Sequence, residues 1–110
     1  MTLVVALAAG GARADIQVVN QTTVPIWAQF SNPAEPGSTS AAVMCTSVSV
    51  PRESTATATR GAACTDKATV RAVGPRLPTN THAECRIEGL PWSGAQVVVT
   101  GSLYSLTCAQ

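Results

Sequence analysis

His82, Glu84, Arg86 and Glu88 alternate along one short stretch, with Ala83, Cys85 and Ile87 between them. Alternation of this kind sets the polar side chains on one face of a β-strand and the apolar ones on the other. Same-face neighbours on a strand lie about 6.7 Å apart. Glu84 and Glu88 are therefore the chain's nearest approach to the paired carboxylates that a hydrolase uses for acid–base work. Arg86 stands between them. The simpler expectation is a charged, solvated strand face or a protected sheet edge. No Gly-x-Ser-x-Gly motif marks a nucleophile, and the single histidine has no evident partner in sequence.

Two further groups could act by binding. Trp27 is expected to point outward beside Gln29, and Trp92 sits in a Pro-Trp-Ser-Gly corner. An exposed tryptophan anchors protein or carbohydrate ligands; a tryptophan folded inward would instead cap a core short of large residues. The segment Gly74-Pro75-Arg76-Leu77-Pro78 is held extended by its two prolines. A rigid loop of this type is what a proteinase inhibitor presents, because preorganisation lowers the entropy cost of binding. Arg76 and Leu77 would be its contact residues. The plain alternative is a connecting loop.

The four cysteines set the frame in which these groups must sit. In a short exported chain they imply two disulfides. Their spacing suggests the pairs Cys45–Cys64 and Cys85–Cys108, with the other two connectivities open to the sequence. With no Cys-x-x-Cys and one histidine, a zinc site is not expected, nor is any cofactor. Residues 1–14 resemble a signal peptide: an apolar run from Leu3 to Ala9, then Ala12-Arg13-Ala14 as a small-x-small cleavage site. No basic residue precedes the apolar run and the segment is short for a signal, which a start inside a longer signal would explain. Residues 15–110 are then a single secreted or periplasmic domain. Leaving out Arg13 brings the seven basic residues level with the six acidic ones. A neutral chain does not fit nucleic acid or an anionic membrane, and no other apolar run approaches a membrane span.

About eight strands are expected, over residues 15–20, 24–30, 43–50, 55–60, 68–73, 82–88, 97–100 and 103–107, with turn signals between them. No segment has a helical period. Pro25 suits an edge or strand-start position. Asn20-Gln21-Thr22 is formally an N-glycosylation acceptor. Residues 31–40 read as a loop. Met44, Val48 and Val50 should share a face, with Cys45 on the other, and residues 43–60 should form a hairpin whose open end a Cys45–Cys64 bond staples on its outer side. The fold class is all-β: a small antiparallel β-sandwich, or a small barrel, of 7–8 strands with two disulfides.

The end of the chain constrains that architecture most. Gly101-Ser102 between two strand-like runs signals a type II′ hairpin. This register sets Thr100 opposite Leu103 and Val99 opposite Tyr104. Ala95, Val97, Val99, Tyr104, Leu106 and Cys108 then share the core face. Cys85 is on a core face too. In a plain three-strand meander Cys85 and Cys108 would be about 9.5 Å apart, beyond disulfide reach. A bond between them requires facing sheets, with residues 89–94 as the crossing corner.

The segment Trp92-Ser93-Gly94-Ala95-Gln96-Val97, with Gly61-Ala62-Ala63-Cys64 upstream and Cys108 downstream, resembles the small secreted subtilisin-inhibitor family over about a third of the chain. That family also has two sequential disulfides. Its Tyr-Asp-Pro segment and the helix after its second cysteine are missing here. The sequence as a whole points to a non-catalytic binding domain, with a proteinase inhibitor on the Arg76 loop and a hydrolase on Glu84 and Glu88 as the competing functions.

Overall fold

A computed structural model describes residues 15–33 and 43–110. The proposed signal segment and most of the loop expected over residues 31–40 lie outside the described residues. Eight strands follow one another: β1 (Asp15–Asn20), β2 (Ile26–Ser31), β3 (Met44–Val50), β4 (Ser54–Thr59), β5 (Lys67–Val73), β6 (Glu84–Pro91), β7 (Ala95–Ser102) and β8 (Ser105–Ala109). They form two four-stranded sheets, ordered β4-β1-β7-β8 and β3-β2-β5-β6, packed as a β-sandwich. All the pairings are antiparallel except β1 with β7, which is parallel.

Alternation builds the core. Ile16 and Val18 of β1, Ile26, Ala28 and Phe30 of β2, Ala68, Val70 and Ala72 of β5, and Val97 and Val99 of β7 are fully buried between the sheets. Most of these side chains are small. The core gains its bulk from Trp92, which packs on Phe30 with ring centroids 5.1 Å apart. Pro25 directly precedes β2, a central strand bonded to both β3 and β5. It occupies the strand-start position, where its missing N–H interrupts no ladder.

One polar residue is built into this interior. Asn20 ends β1 with 1% of its surface exposed. Its amide nitrogen donates to the carbonyls of Val24, Val50 and Pro51, and its oxygen accepts from the Thr22 N–H and hydroxyl. The turn after β1 is thereby locked to the end of β3. A buried amide whose groups are all bonded stabilises one arrangement, whereas leaving them unbonded would cost about 1–3 kcal/mol. A glycan on this nitrogen is incompatible with the fold.

The disulfides join Cys45 to Cys64 and Cys85 to Cys108. Cys85 belongs to β6 and Cys108 to β8, edge strands of opposite sheets, so this bond is the cross-sheet staple expected from the sequence. The chain crosses between the sheets at Trp92-Ser93-Gly94, a tighter corner than expected because β6 continues to Pro91.

The first disulfide differs from expectation. Strands β3 and β4 are not a hairpin: among the described residues β3 pairs only with β2 and β4 only with β1, each in its own sheet. Between Phe30 and Ser31 the register with β3 jumps from Thr46 to Met44, so Cys45 is the extra residue of a β-bulge. A bulge reverses the alternation beyond it. Cys45 therefore packs against the core and reaches Cys64, which is 5% exposed, while Met44 turns outward and is 55% exposed. The bond closes one open side of the sandwich as Cys85–Cys108 closes the other.

The closing hairpin also corrects the sequence reading. Thr100 faces Thr107, Val99 faces Cys108 and Ser102 faces Ser105, which leaves Leu103-Tyr104 as the loop. Gly101 lies in the strand at φ 117°. A Cβ there would overlap the Ser105 carbonyl, so the glycine serves a close backbone approach instead of a II′ turn. The slip is two residues on each strand. An even slip preserves alternation, so Val97, Val99, Leu106 and Cys108 still face inward. Tyr104 instead sits at the hairpin tip, 75% exposed.

Candidate functional site

The outer face of the β3-β2-β5-β6 sheet collects the chain's most reactive groups. On β2 the outward positions are Trp27, Gln29 and Ser31. Trp27 lies opposite Ser49 on β3 and Val73 on β5; Gln29 lies opposite Ser47 and Arg71; Ser31 lies opposite Met44 and Thr69. On β6, Glu84 lies opposite Val73 and Arg86 opposite Arg71. Directly opposed residues share a face, so these side chains form one continuous surface.

Its centre is a fork. Arg71 Nε donates to Glu84 Oε2 at 2.7 Å, and a second Arg71 nitrogen donates to Oε1 at 2.8 Å. The guanidinium also donates to Gln29 Oε1 at 3.3 Å and lies 3.3 Å from His82 Nε2. Arg86 Nε is a looser 3.8 Å from Glu88 Oε2. The hydrogen bond from Arg71 lowers the Glu84 pKa below the ordinary carboxylate value, and the same bond raises that of Arg71. A shallow depression of about 350 Å³ lies beside the fork, lined by Ser31, Thr69, Arg71, Glu84 and Arg86. A second, of about 290 Å³, is lined by residues including Asn20, Gln21 and Glu53 at the end of β1.

Trp27 is where the sequence puts it, outward and 44% exposed. Gln29 is half-buried beside it, its oxygen engaged by Arg71. Trp92 takes the inward one of its two readings: at 5% exposure it belongs to the core and is not a binding anchor. Its indole Nε1 is buried without a hydrogen-bond partner. Arg76 is exposed and Leu77 half-buried, on the loop between β5 and β6. That loop is the tip of a hairpin, in which the Gly74 N–H donates to the Ala83 carbonyl and the Leu77 N–H to that of Thr81. It begins one residue after Val73, which lies opposite Trp27, so it leaves the sheet at the Trp27 end of this face. Among the described residues, no three His, Cys, Asp or Glu side chains converge as metal ligands would.

The residues that sequence reasoning missed here are Arg71 and Met44. Arg71 reads as one polar position in an ordinary strand, and its bonds to Glu84 and His82 depend on the register across a ten-residue loop. Met44 is displaced by the bulge at Cys45.

Glu84 is not arranged as a general acid. General acid catalysis near neutral pH needs a carboxyl whose proton is retained, through burial or a neighbouring negative charge. Glu84 is shifted in the opposite direction and both its oxygens are occupied. What this surface can do chemically is present a broad indole, a methionine and a planar array of donors and acceptors.

No protein-family model matches the chain, and no curated protein matches it. Among solved structures, the chain is similar to a protein from Eubacterium rectale whose structure was determined by NMR. The two are 12% identical, with a TM-score of 0.53, over 91% of this chain and 89% of that one. The likeness is one of fold alone.

Proposed function

We propose that the chain is a secreted or periplasmic, non-catalytic recognition domain that holds a protein partner against the outer face of the β3-β2-β5-β6 sheet. The two disulfides, with no free cysteine among the described residues, point to an oxidising compartment. One observation carries the proposal. This core is short of large apolar side chains, yet Trp27 stands 44% exposed on a sheet face. Indole burial is worth more than that of any other side chain this chain could have used. Its exposure is a stability sacrifice that binding would explain. Met44, 55% exposed, is two rows further along the same face, and Val43 next to it is 70% exposed. Apolar and aromatic anchors around an arginine centre are the composition of a protein-binding hot spot.

The fork gives such a face orientation as well as area. Arg71 and Glu84 are already locked together, so a partner meets a fixed donor–acceptor edge and little rotamer freedom is lost on docking. A carbohydrate is the other ligand class a bare indole serves. The discriminating experiment immobilises the oxidised chain and its Trp27→Ala and Arg71→Ala variants, then probes the exported proteins of the native host and a glycan array in parallel. A protein retained by the parent and lost by both variants supports the reading. Retention of glycans alone transfers the face to sugars. Retention that is indifferent to both substitutions removes the face from consideration.

A further inference from the structure

We infer that the depression between Arg71 and Arg86 is a carboxylate site, which takes an acidic side chain or a chain terminus of a protein partner. That a protein carries this carboxylate rests on the recognition role proposed above for the face; the site itself follows from the residues around it. Arg71 on β5 lies directly opposite Arg86 on β6. Like charges so opposed weaken a strand pair. The same placement offers an anion two guanidinium groups at once.

Only one of the two cations is answered within the chain. Arg71 is held by both oxygens of Glu84. Arg86 approaches Glu88 only to 3.8 Å, beyond hydrogen-bond length. Among the described residues the Arg86 side chain makes no hydrogen bond, so its five N–H donors are free for a ligand. Two hydroxyls join them. Ser31 of β2 and Thr69 of β5 lie opposite each other, one outward row along from Gln29 and Arg71. Such rows are about 6.7 Å apart, a gap that long arginine side chains bridge. Neither hydroxyl makes a hydrogen bond to its sheet face: the Ser31 and Thr69 side chains have no bonded partner among the described residues. Thr69 is 8% exposed although its position is outward, so its hydroxyl is recessed. Ser31, Thr69, Arg71, Glu84 and Arg86 together line the space.

The excess of donors selects the ligand. The lining holds two cations, and the Glu84 carboxylate offsets one of them. A single negative charge brings it to neutrality. A planar carboxylate accepts parallel N–H bonds from a guanidinium and keeps lone pairs for hydroxyl donors. A sugar hydroxyl would leave the charge unanswered, and a phosphate dianion would overshoot the balance beside Glu84. Trp27 stands two rows from Ser31 on the same strand, about 13 Å away and within the span of one interface. The carboxylate would orient a partner whose apolar part covers the indole.

The test titrates the oxidised chain with N-acetylglutamic acid α-amide, which has only a side-chain carboxylate, and N-acetylglycine, which has only a terminal one, up to about 100 mM. N-acetylglutamine α-amide is the uncharged control and inorganic phosphate the rival anion. Binding is read by NMR from the backbone amides of Ser31 and Thr69 and the Nε–H groups of Arg71 and Arg86. Saturable shifts with at least one carboxylate, and none with the uncharged control, are expected; the tighter probe names the source. Arg86→Gln should weaken binding at least about fivefold. Arg52→Gln, on the exposed turn between β3 and β4, should leave it unchanged. The Arg86 side chain is 61% exposed, so its variant is expected to fold, and a thermal melt verifies this. Absence of saturation, an equal response to the uncharged control, indifference to Arg86→Gln, or tighter binding of phosphate each overturns the inference. If the carboxylates bind while partner capture ignores Trp27→Ala, the recognition role of the indole fails and the site stands. The reverse pattern removes the site alone.

Discussion

The two outer faces of the sandwich rest on one core and share almost nothing else. On the β4-β1-β7-β8 sheet the exposed strand residues are threonine, glutamine, serine, glycine and alanine, with no charged side chain among them. On the β3-β2-β5-β6 sheet Lys67, Arg71, Glu84, Arg86 and Glu88 accompany Trp27 and Met44. The first face satisfies only solubility and pleat. The second holds an exposed indole and fixed charges that the fold does not require. The difference shows where stability and recognition part: one face is free to be bland because the other has taken the costly residues.

The largest test of that division compares the tryptophans. Trp92→Ala empties the space against Phe30 and should cost about 3–5 kcal/mol in urea unfolding. Trp27→Ala should stay within about 1 kcal/mol. Equal losses would make Trp27 a structural residue and dissolve the contrast. Next in size is the cross-sheet bond. Replacing Cys85 and Cys108 together by serine should lower stability by about 2–4 kcal/mol, read from the shift in denaturation midpoint.

Smaller still is the fork. Its side chains are 40% and 44% exposed, so Arg71→Ala should cost only about 0.2–1 kcal/mol at neutral pH and low salt. The sign of its pH dependence follows from the lowered Glu84 pKa. The contribution is complete above the unfolded-state carboxylate pKa and disappears as pH falls through the lower folded value. Melting curves of parent and Arg71→Ala should therefore differ at pH 7 and converge in acid. Binding to the Trp27 face should suffer much more than stability. Smallest of all, Gln96→Lys on the bland face should change stability by no more than about 0.5 kcal/mol and leave recognition intact. If it weakens binding as Arg71→Ala does, the two faces are not separate surfaces.

Alternation made much of this readable without coordinates. The His82–Glu88 stretch revealed its polar and inner faces directly, and the inward positions of Cys85 and Cys108 required facing sheets. Trp27 followed from the same parity. Where the reading failed, an irregularity had reset parity or pairing was not local. The bulge at Cys45 exchanged Met44 for the cysteine, and nothing in Val43-Met44-Cys45-Thr46 announces an extra residue. Gly101 has the composition of a turn but is needed where two backbones nearly touch. Pro51-Arg52-Glu53 looks like a hairpin turn, yet it carries the chain to the other sheet, a choice set by packing on β1 and β2. Trp92 gave no sign of its direction, since a corner residue has no alternation to follow.

Asn20 has a consequence for how the protein can be made. Its amide nitrogen is committed to three carbonyls in the folded state, but Asn20-Gln21-Thr22 is an open acceptor while the chain is still extended. In a eukaryotic secretory pathway, oligosaccharide transfer acts on nascent chains and would reach this asparagine before β1 and β3 close over it. The outcome there is a race between a transferase and a turn. Material recovered from such a host should divide into a folded, unmodified fraction and a glycosylated, misfolded one, separable by mass. Thr22→Val would end the race by destroying the acceptor, while also removing a hydroxyl that Asn20 bonds. A bacterial periplasm without that transferase poses no such conflict.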